Sequence, residues 1–191
     1  AQSITMSQYT TNLLSKALLL ILSLCLSDRL LAQGGYAMEF DGVDDRIEVA
    51  HDASLNVTTD ASWEAWIYLH DTSSDQLLFA KTTDDINTPG YAYTGYYISL
   101  EGQRLTFSQG TAGGTLQQTS SSLDPIDQDT WTHLAIVKDG AAVTLYVDGV
   151  DLTQTSGTHA SIIGNTADML IGSWDTDNDP LDGYMDEVRV W

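Results

Sequence analysis

Residues 33–191 of this chain read as an all-β protein, a two-sheet antiparallel β-sandwich, and three observations predict it. Helical periodicity is nearly absent after residue 33. Short alternating runs rich in Val, Ile, Thr, Tyr and Trp recur instead, separated by turns of Gly, Asp and Asn. Two Asp-Gly pairs, Asp139-Gly140 and Asp148-Gly149, stand between apolar runs. Glycine there reaches positive φ without a Cβ clash, which makes the pair a strong hairpin signal. Roughly ten to twelve strands with no helices imply two packed sheets, because a single sheet leaves one apolar face in water.

The elements follow in chain order. Met38 and Phe40 alternate with Glu39 and Asp41, and Ile47 and Val49 alternate with Arg46 and Glu48. Trp63, Ala65, Ile67 and Leu69 share one face of a strand, with Glu64, Trp66, Tyr68 and His70 on the other. Gln76 to Lys81 reads as a short strand. Tyr96 to Leu100 and Arg104 to Phe107 are two more, joined by Glu101-Gly102-Gln103. The Ser/Thr/Gly/Gln-rich stretch from Ser108 to Ser122 reads as a long loop or an edge hairpin. Trp131 to Lys138 and Val143 to Val147 form the clearest hairpin, and Met169 to Ile171 and Tyr184 to Trp191 are the last strands. Trp63 and Trp131 are expected in the core.

The first 32 residues read differently. Met6 is the first methionine able to serve as a start, Lys16 gives a positive n-region, and Ala17 to Leu26 form an apolar run with small residues near Ala32. That is the layout of a secretory signal peptide, with a run too short to span a bilayer; a buried or anchoring helix is the competing reading. The domains expected are therefore 1–32, upstream residues and signal peptide, and 33–191, the sandwich, secreted or held at the cell surface. Cys25 is the only cysteine and lies inside the apolar run, with Leu24 where a lipid-attachment signal needs a small residue. Residues 33–191 have no thiol, so disulfides and thiolate metal sites are excluded.

The charge narrows the partners. The chain has 27 Asp and Glu against 7 Lys and Arg, a net charge of −20. Without residues 1–32, which hold Lys16, Arg29 and Asp28, the balance is 26 acids against 5 bases, or −21. Such a surface repels nucleic acid and anionic membranes, and no membrane insertion of the mature domain is expected. It suits a divalent-cation binder, or a protein kept soluble in salt.

Four blocks in order carry a family resemblance: AMEFDGVDDRIEV, ASWEAWIYL, WTHLAIVKDGAAVTLYVDGV and LDGYMDEVRVW. Together they resemble the laminin-G-like, concanavalin-A-like jelly-roll domains of secreted bacterial proteins, over residues 36–191. The resemblance implies an adhesive or carbohydrate-binding module, a glycan or extracellular protein as partner, and often a structural Ca²⁺. It also implies further domains of the same polypeptide, with the last strand cut short at Trp191.

Two places are candidates for calcium, which takes six to eight oxygen ligands. Asp41 and the Gly42 carbonyl meet Asp186 if the first and last strands pair. In similar sandwich glucanases an Asp before a Val-Arg-Val strand helps hold calcium, and Asp186 matches that position. The second place is the loop Asp175-Thr-Asp177-Asn-Asp179-Pro-Leu-Asp182, which imitates the alternating acids of an EF-hand but has Pro180 where that loop needs glycine. For ligand contact, Tyr91, Tyr93, Tyr96 and Tyr97 surround one loop entering a strand. Aromatic faces stack on sugar C–H faces and phenols add hydrogen bonds. Tyr96 and Tyr97 point to opposite faces, so at least one belongs to the core. Tyr91, Tyr93, Tyr96 and Trp174 are the residues expected to touch ligand.

No catalytic constellation is readable. Glucanases of this fold use Glu-x-Asp-x-(x)-Glu, two carboxylates on one strand face. The nearest run, Glu39-Phe-Asp41-Gly-Val-Asp44, ends in Asp and runs into a turn. His51, His70, His133 and His159 fall singly, without metal-ligand spacing. The reading is a non-catalytic recognition module with structural calcium; the alternatives are a glycoside hydrolase of this fold or a structural adhesin spacer.

Overall fold

The protein is described from a computed structural model, which describes residues 36–83, 93–111, 115–154, 158–174 and 178–191. Twelve strands account for most of them: β1 (Met38–Asp41), β2 (Ile47–Val49), β3 (Ala61–Leu69), β4 (Gln76–Thr82), β5 (Gly95–Glu101), β6 (Arg104–Gly110), β7 (Leu116–Ser120), β8 (Thr132–Asp139), β9 (Ala142–Val147), β10 (Val150–Asp151), β11 (Met169–Ile171) and β12 (Asp182–Val190). They form two six-stranded antiparallel sheets. The first has the order β1-β12-β3-β8-β9-β10 and the second β2-β11-β4-β5-β6-β7.

Alternation decides which side chains face inward. In β3 every odd position from Ala61 to Leu69 is buried and every even one half-exposed. β8 and β9 repeat the pattern, so Trp63, Ile67, Leu134, Ile136, Leu145 and Val147 line one wall of the core. Tyr96, Ile98, Leu100, Leu105 and Phe107 line the other. Trp63 joins the walls, its ring centroid 4.9 Å from that of Tyr96 and 5.3 Å from that of Phe107. A fully buried indole of this kind removes the largest single block of apolar surface from water.

Strand β7 settles the reading of the Ser108–Ser122 stretch as an edge hairpin, since Leu116 to Ser120 pair with β6. Its polar residues face a sheet edge, where period-2 hydrophobicity is weak. The Asp148-Gly149 turn has φ of 49° and 75°, the two positive values of a two-residue hairpin loop. Trp131 departs from expectation. It is 42% exposed, because it sits one residue before β8 on the outer side of the first sheet.

The sheets differ on their outer sides. That of the first sheet is open and alternating. In the second, β4 is buried at six consecutive positions from Gln76 to Lys81, and Thr106 and Ser108 on β6 are fully buried although they point away from the core. The outer face of the second sheet is therefore recessed. Among the described residues, no helix is long and apolar enough to cross a membrane.

Candidate functional site

Register places a row of side chains across all six strands on that recessed face. Glu48 pairs with Leu170, Leu170 with Ala80, Ala80 with Tyr97, Tyr97 with Ser108, and Ser108 with Gln118. At strand spacings of about 4.8 Å, Tyr97 to Gln118 spans about 10 Å. The next row, Leu77, Ser99, Thr106 and Ser120, adds more hydroxyls. The face thus combines an aromatic ring with uncharged hydrogen-bonding groups.

These groups are held in place. The Tyr97 phenol lies close enough to the Ser108 and Gln118 side chains for both to lower its pKa. The Gln118 amide donates to Ser108 Oγ at 3.1 Å, and Thr106 Oγ1 lies 3.0 Å from Ser120 Oγ. Burial pushes the Tyr97 phenol above its usual range; the neighbouring Ser108 side chain opposes this, and the charges of Tyr93 and Glu101 add to it. Trp174 meets Tyr97 edge to face, with ring centroids 5.1 Å apart. Its backbone N–H donates to the Asn178 carbonyl at 3.3 Å, and its indole lies next to the Asp179 carboxyl. Tyr93 passes over Gly110, where a Cβ would lie 2.0 Å from the Tyr93 carbonyl oxygen. Trp174, Tyr93 and the row therefore lie together.

Tyr96 is a correction. It is 1% exposed, packs on Trp63, and its hydroxyl donates to the Leu55 carbonyl at 3.4 Å. Strand alternation sends Tyr96 inward and Tyr97 outward, so Tyr97 is the ring on the outer face of the second sheet. Ser108, Gln118 and Thr106 were not readable as site residues, because their role depends on cross-strand register. Tyr91, Asp175 and Asp177 lie outside the described residues.

The proposed meeting of Asp41 and Gly42 with Asp186 is a second correction. β1 does pair with β12, but antiparallel, with Met38 opposite Met185 and Asp41 opposite Asp182. Asp186 is four residues further along, about 13 Å at 3.3 Å per residue. Its Oδ1 accepts the Glu187 N–H at 2.8 Å, in a bulge where Glu187 has a φ of 52°. Asp41 gathers instead with Asp44 and Asp45, whose ligand atoms lie within 4.8 Å of one another. Asp41 Oδ1 accepts the N–H groups of Val43 and Asp44 at 2.9 and 3.4 Å, and Asp45 Oδ2 accepts that of Asp41 at 3.1 Å. Gly42, with a φ of 72°, turns the chain between them. Asp179 lies apart, next to Trp174; burial, then the Asp75 carboxylate, raises its pKa.

A second aromatic set occupies the outer face of the first sheet. Tyr184, Tyr68, Trp131 and His70 have centroids 5.3 to 6.5 Å apart and meet edge on or tilted. Glu39 accepts from the Tyr184 hydroxyl at 3.4 Å, and Asp129 lies 3.3 Å from His70 Nδ1. These rings contact mainly one another on an open face.

Solved structures share the fold. The CBM40 of the Ruminococcus gnavus IT-sialidase, bound to α2,3-sialyllactose, superposes with a TM-score of 0.64 at 10% identity, over 82% of this chain and 89% of its own. The mouse laminin α1 chain domains LG4-5 give 0.58 at 12% identity, over 81% of this chain and 40% of theirs. Domain 4 of AbnA, a GH43 extracellular arabinanase from Geobacillus stearothermophilus in complex with arabinotriose, gives 0.53 at 24% identity, over 83% and 71%. No curated protein matches the chain significantly in sequence. A family model, Laminin_G_3, described as the concanavalin A-like lectin/glucanases superfamily, matches residues 41–191. With that match over most of its length, and a sandwich of the same class, the chain belongs to the Laminin_G_3 family of that superfamily.

Proposed function

We propose that residues 36–191 form a non-catalytic extracellular glycan-recognition module whose contact surface is the recessed outer face of the second sheet. One observation carries the reading: Tyr97 and Trp174 meet beside the exposed Gln118 amide and the half-exposed Ser99 and Ser120 hydroxyls, with the buried Ser108 and Thr106 beneath them holding the register. An aromatic wall beside a few placed polar groups is what a sugar ring needs, with C–H faces stacking and hydroxyls hydrogen-bonding. Two of the structural neighbours were solved with oligosaccharides, which supports the same class of ligand.

The non-catalytic part rests on what lines the rows. The Glu39, Asp41 and Asp44 run belongs to the first sheet and the turn after it, away from this face. Glu48, the carboxylate within the row, lies 3.8 Å from Arg46 at the sheet edge, while Glu101, Asp179 and Asp75 border the row near Tyr97 and Trp174. Retaining hydrolysis needs two carboxyl groups about 5 Å apart across the scissile bond. No turnover is expected on polysaccharide and aryl-glycoside panels; turnover that is lost in Asp179→Asn contradicts this reading.

The structural calcium implied by the family resemblance has a donor group of the right chemistry in Asp41, Asp44 and Asp45, all carboxylate oxygens in one loop. A ligand bound only by the folded state raises stability, so Ca²⁺ added after chelation should raise the melting midpoint. An unchanged midpoint removes the calcium.

The contact surface is tested on a glycan array followed by titration calorimetry. Tyr97→Ala and Trp174→Ala should each weaken binding by about tenfold or more, near 1.4 kcal/mol. Trp131→Ala, on the other sheet, should leave it unchanged. Loss of binding with Trp131→Ala alone puts the ligand on the wrong sheet for this reading.

A further inference from the structure

Residues 36–191 contain five cationic side chains, Arg46, Lys81, Arg104, Lys138 and Arg189, and all five are described. None of them leaves an unmatched positive charge at the surface. Lys81 and Lys138 are each 1% exposed. Lys81 Nζ donates to the Ala167 carbonyl at 2.6 Å and lies 3.0 Å from His51 Nδ1, and Lys138 donates to the Gly140 carbonyl. Arg46 lies 3.8 Å from Glu48, Arg104 3.6 Å from Asp124, and Arg189 3.1 Å from Glu64 while also pairing with Glu187.

The recessed face follows the same rule. Its uncharged polar groups are the Tyr97 phenol, the Ser99, Ser108, Thr106 and Ser120 hydroxyls and the Gln118 amide, and the charge within its rows is the Glu48 carboxylate. The charges bordering Tyr97 and Trp174 are negative, those of Glu101 and of Asp179 with Asp75 behind it. Arg104 stands on the same face, two residues from Thr106 and opposite Glu101 across the strand pair, but its charge is taken up by Asp124 at 3.6 Å. Arg46 lies two residues from Glu48, whose strand is three spacings from that of Tyr97. A carboxylate or sulfate brought onto this face loses water and finds no counter-charge, which is costly for an ion and mild for a hydroxyl. The surplus of acids adds longer-range repulsion.

We infer that this face selects neutral glycans and rejects those carrying a carboxylate, sulfate or phosphate. The inference rests on the glycan reading above and adds the ligand's charge class to it. It sets this chain apart from the Ruminococcus gnavus structure, whose bound trisaccharide carries a carboxylate.

The test pairs neutral oligosaccharides with their sialylated, uronic-acid and sulfated counterparts on one array, at low and physiological salt, with and without EDTA. Each acidic member should bind at least about tenfold more weakly than its neutral partner, with the gap narrowing as salt screens the repulsion. Gln118→Arg, at an exposed position of the row, should shrink the gap by supplying a cation. An acidic glycan that binds as tightly as its neutral partner, through calcium or without it, overturns the charge selection and leaves the glycan reading standing. Silence across the whole array overturns the glycan reading itself.

Discussion

Tyr96 and Tyr97 are neighbours with opposite tasks, and the difference is one of strand parity alone. Tyr96 completes the core against Trp63, while Tyr97 faces Ser108, Gln118 and Trp174 on the outer side of the sheet. Trp63→Ala should lower the unfolding free energy by about 3–5 kcal/mol, measured by urea titration, because the cavity touches both walls. Asp71 is a second residue with a defined role. It accepts the Ser73 N–H at 3.0 Å and that of Ser74 at 3.2 Å, and these bonds lower its pKa from the usual 3.8 to about 2. A carboxyl depressed in the folded state stabilises above its unfolded value, and that contribution fades as pH falls from 3.8 through about 2. Asp71→Ala should therefore lose about 1 kcal/mol at neutral pH and show a smaller further loss on acidification over that window. Equal acid sensitivity of the variant and the parent contradicts this. The inward position of one of the two tyrosines was readable from alternation, but which one was not, since that depends on where β5 begins.

At the scale of elements, the central pairings were visible because their side chains alternate between water and core. β3 and the β8–β9 hairpin are the clearest cases. β4 was visible as a strand but not as one buried on both faces. A register shift between Leu77 and Phe79 inserts an extra residue there, and both Leu77 and Leu78 are fully buried. The meeting of Asp41 with Asp186 failed for a related reason: pairing partners can be guessed from order, whereas register needs the turns and bulges between them. Gly95 shows how tightly the site strand is fixed. Its φ is 77°, and a Cβ there would lie 1.8 Å from the Lys81 carbonyl oxygen and 2.3 Å from Asn165 Nδ2. Gly95→Ala should disturb the start of β5 and lower both the melting midpoint and glycan binding, whereas Gly140→Ala, with open space around its Cβ, should leave binding intact. Equal binding by both variants contradicts the coupling of Gly95 to the site.

At the scale of the molecule, two features govern behaviour: a sandwich with one recessed face, and a surface short of positive charge. With 26 acids against 5 bases in residues 33–191, self-repulsion works against the compact state. Salt should raise the melting midpoint by screening it, beyond any effect of calcium, and a midpoint that is flat or falling with added sodium chloride contradicts that balance. The sandwich and its family were legible in the sequence, since they rest on pattern and ordered blocks. The row of Tyr97, Ser108 and Gln118 was not, since its members are brought together only by the pairing of β5, β6 and β7. The most direct measurement of the central claim is an NMR titration of isotope-labelled protein with a neutral oligosaccharide that binds on the array. Shift changes concentrated at Tyr97, Ser108, Gln118 and Trp174, with Tyr68, Trp131 and Tyr184 silent, are the predicted result. Changes centred on Tyr68, Trp131 and Tyr184 would contradict it.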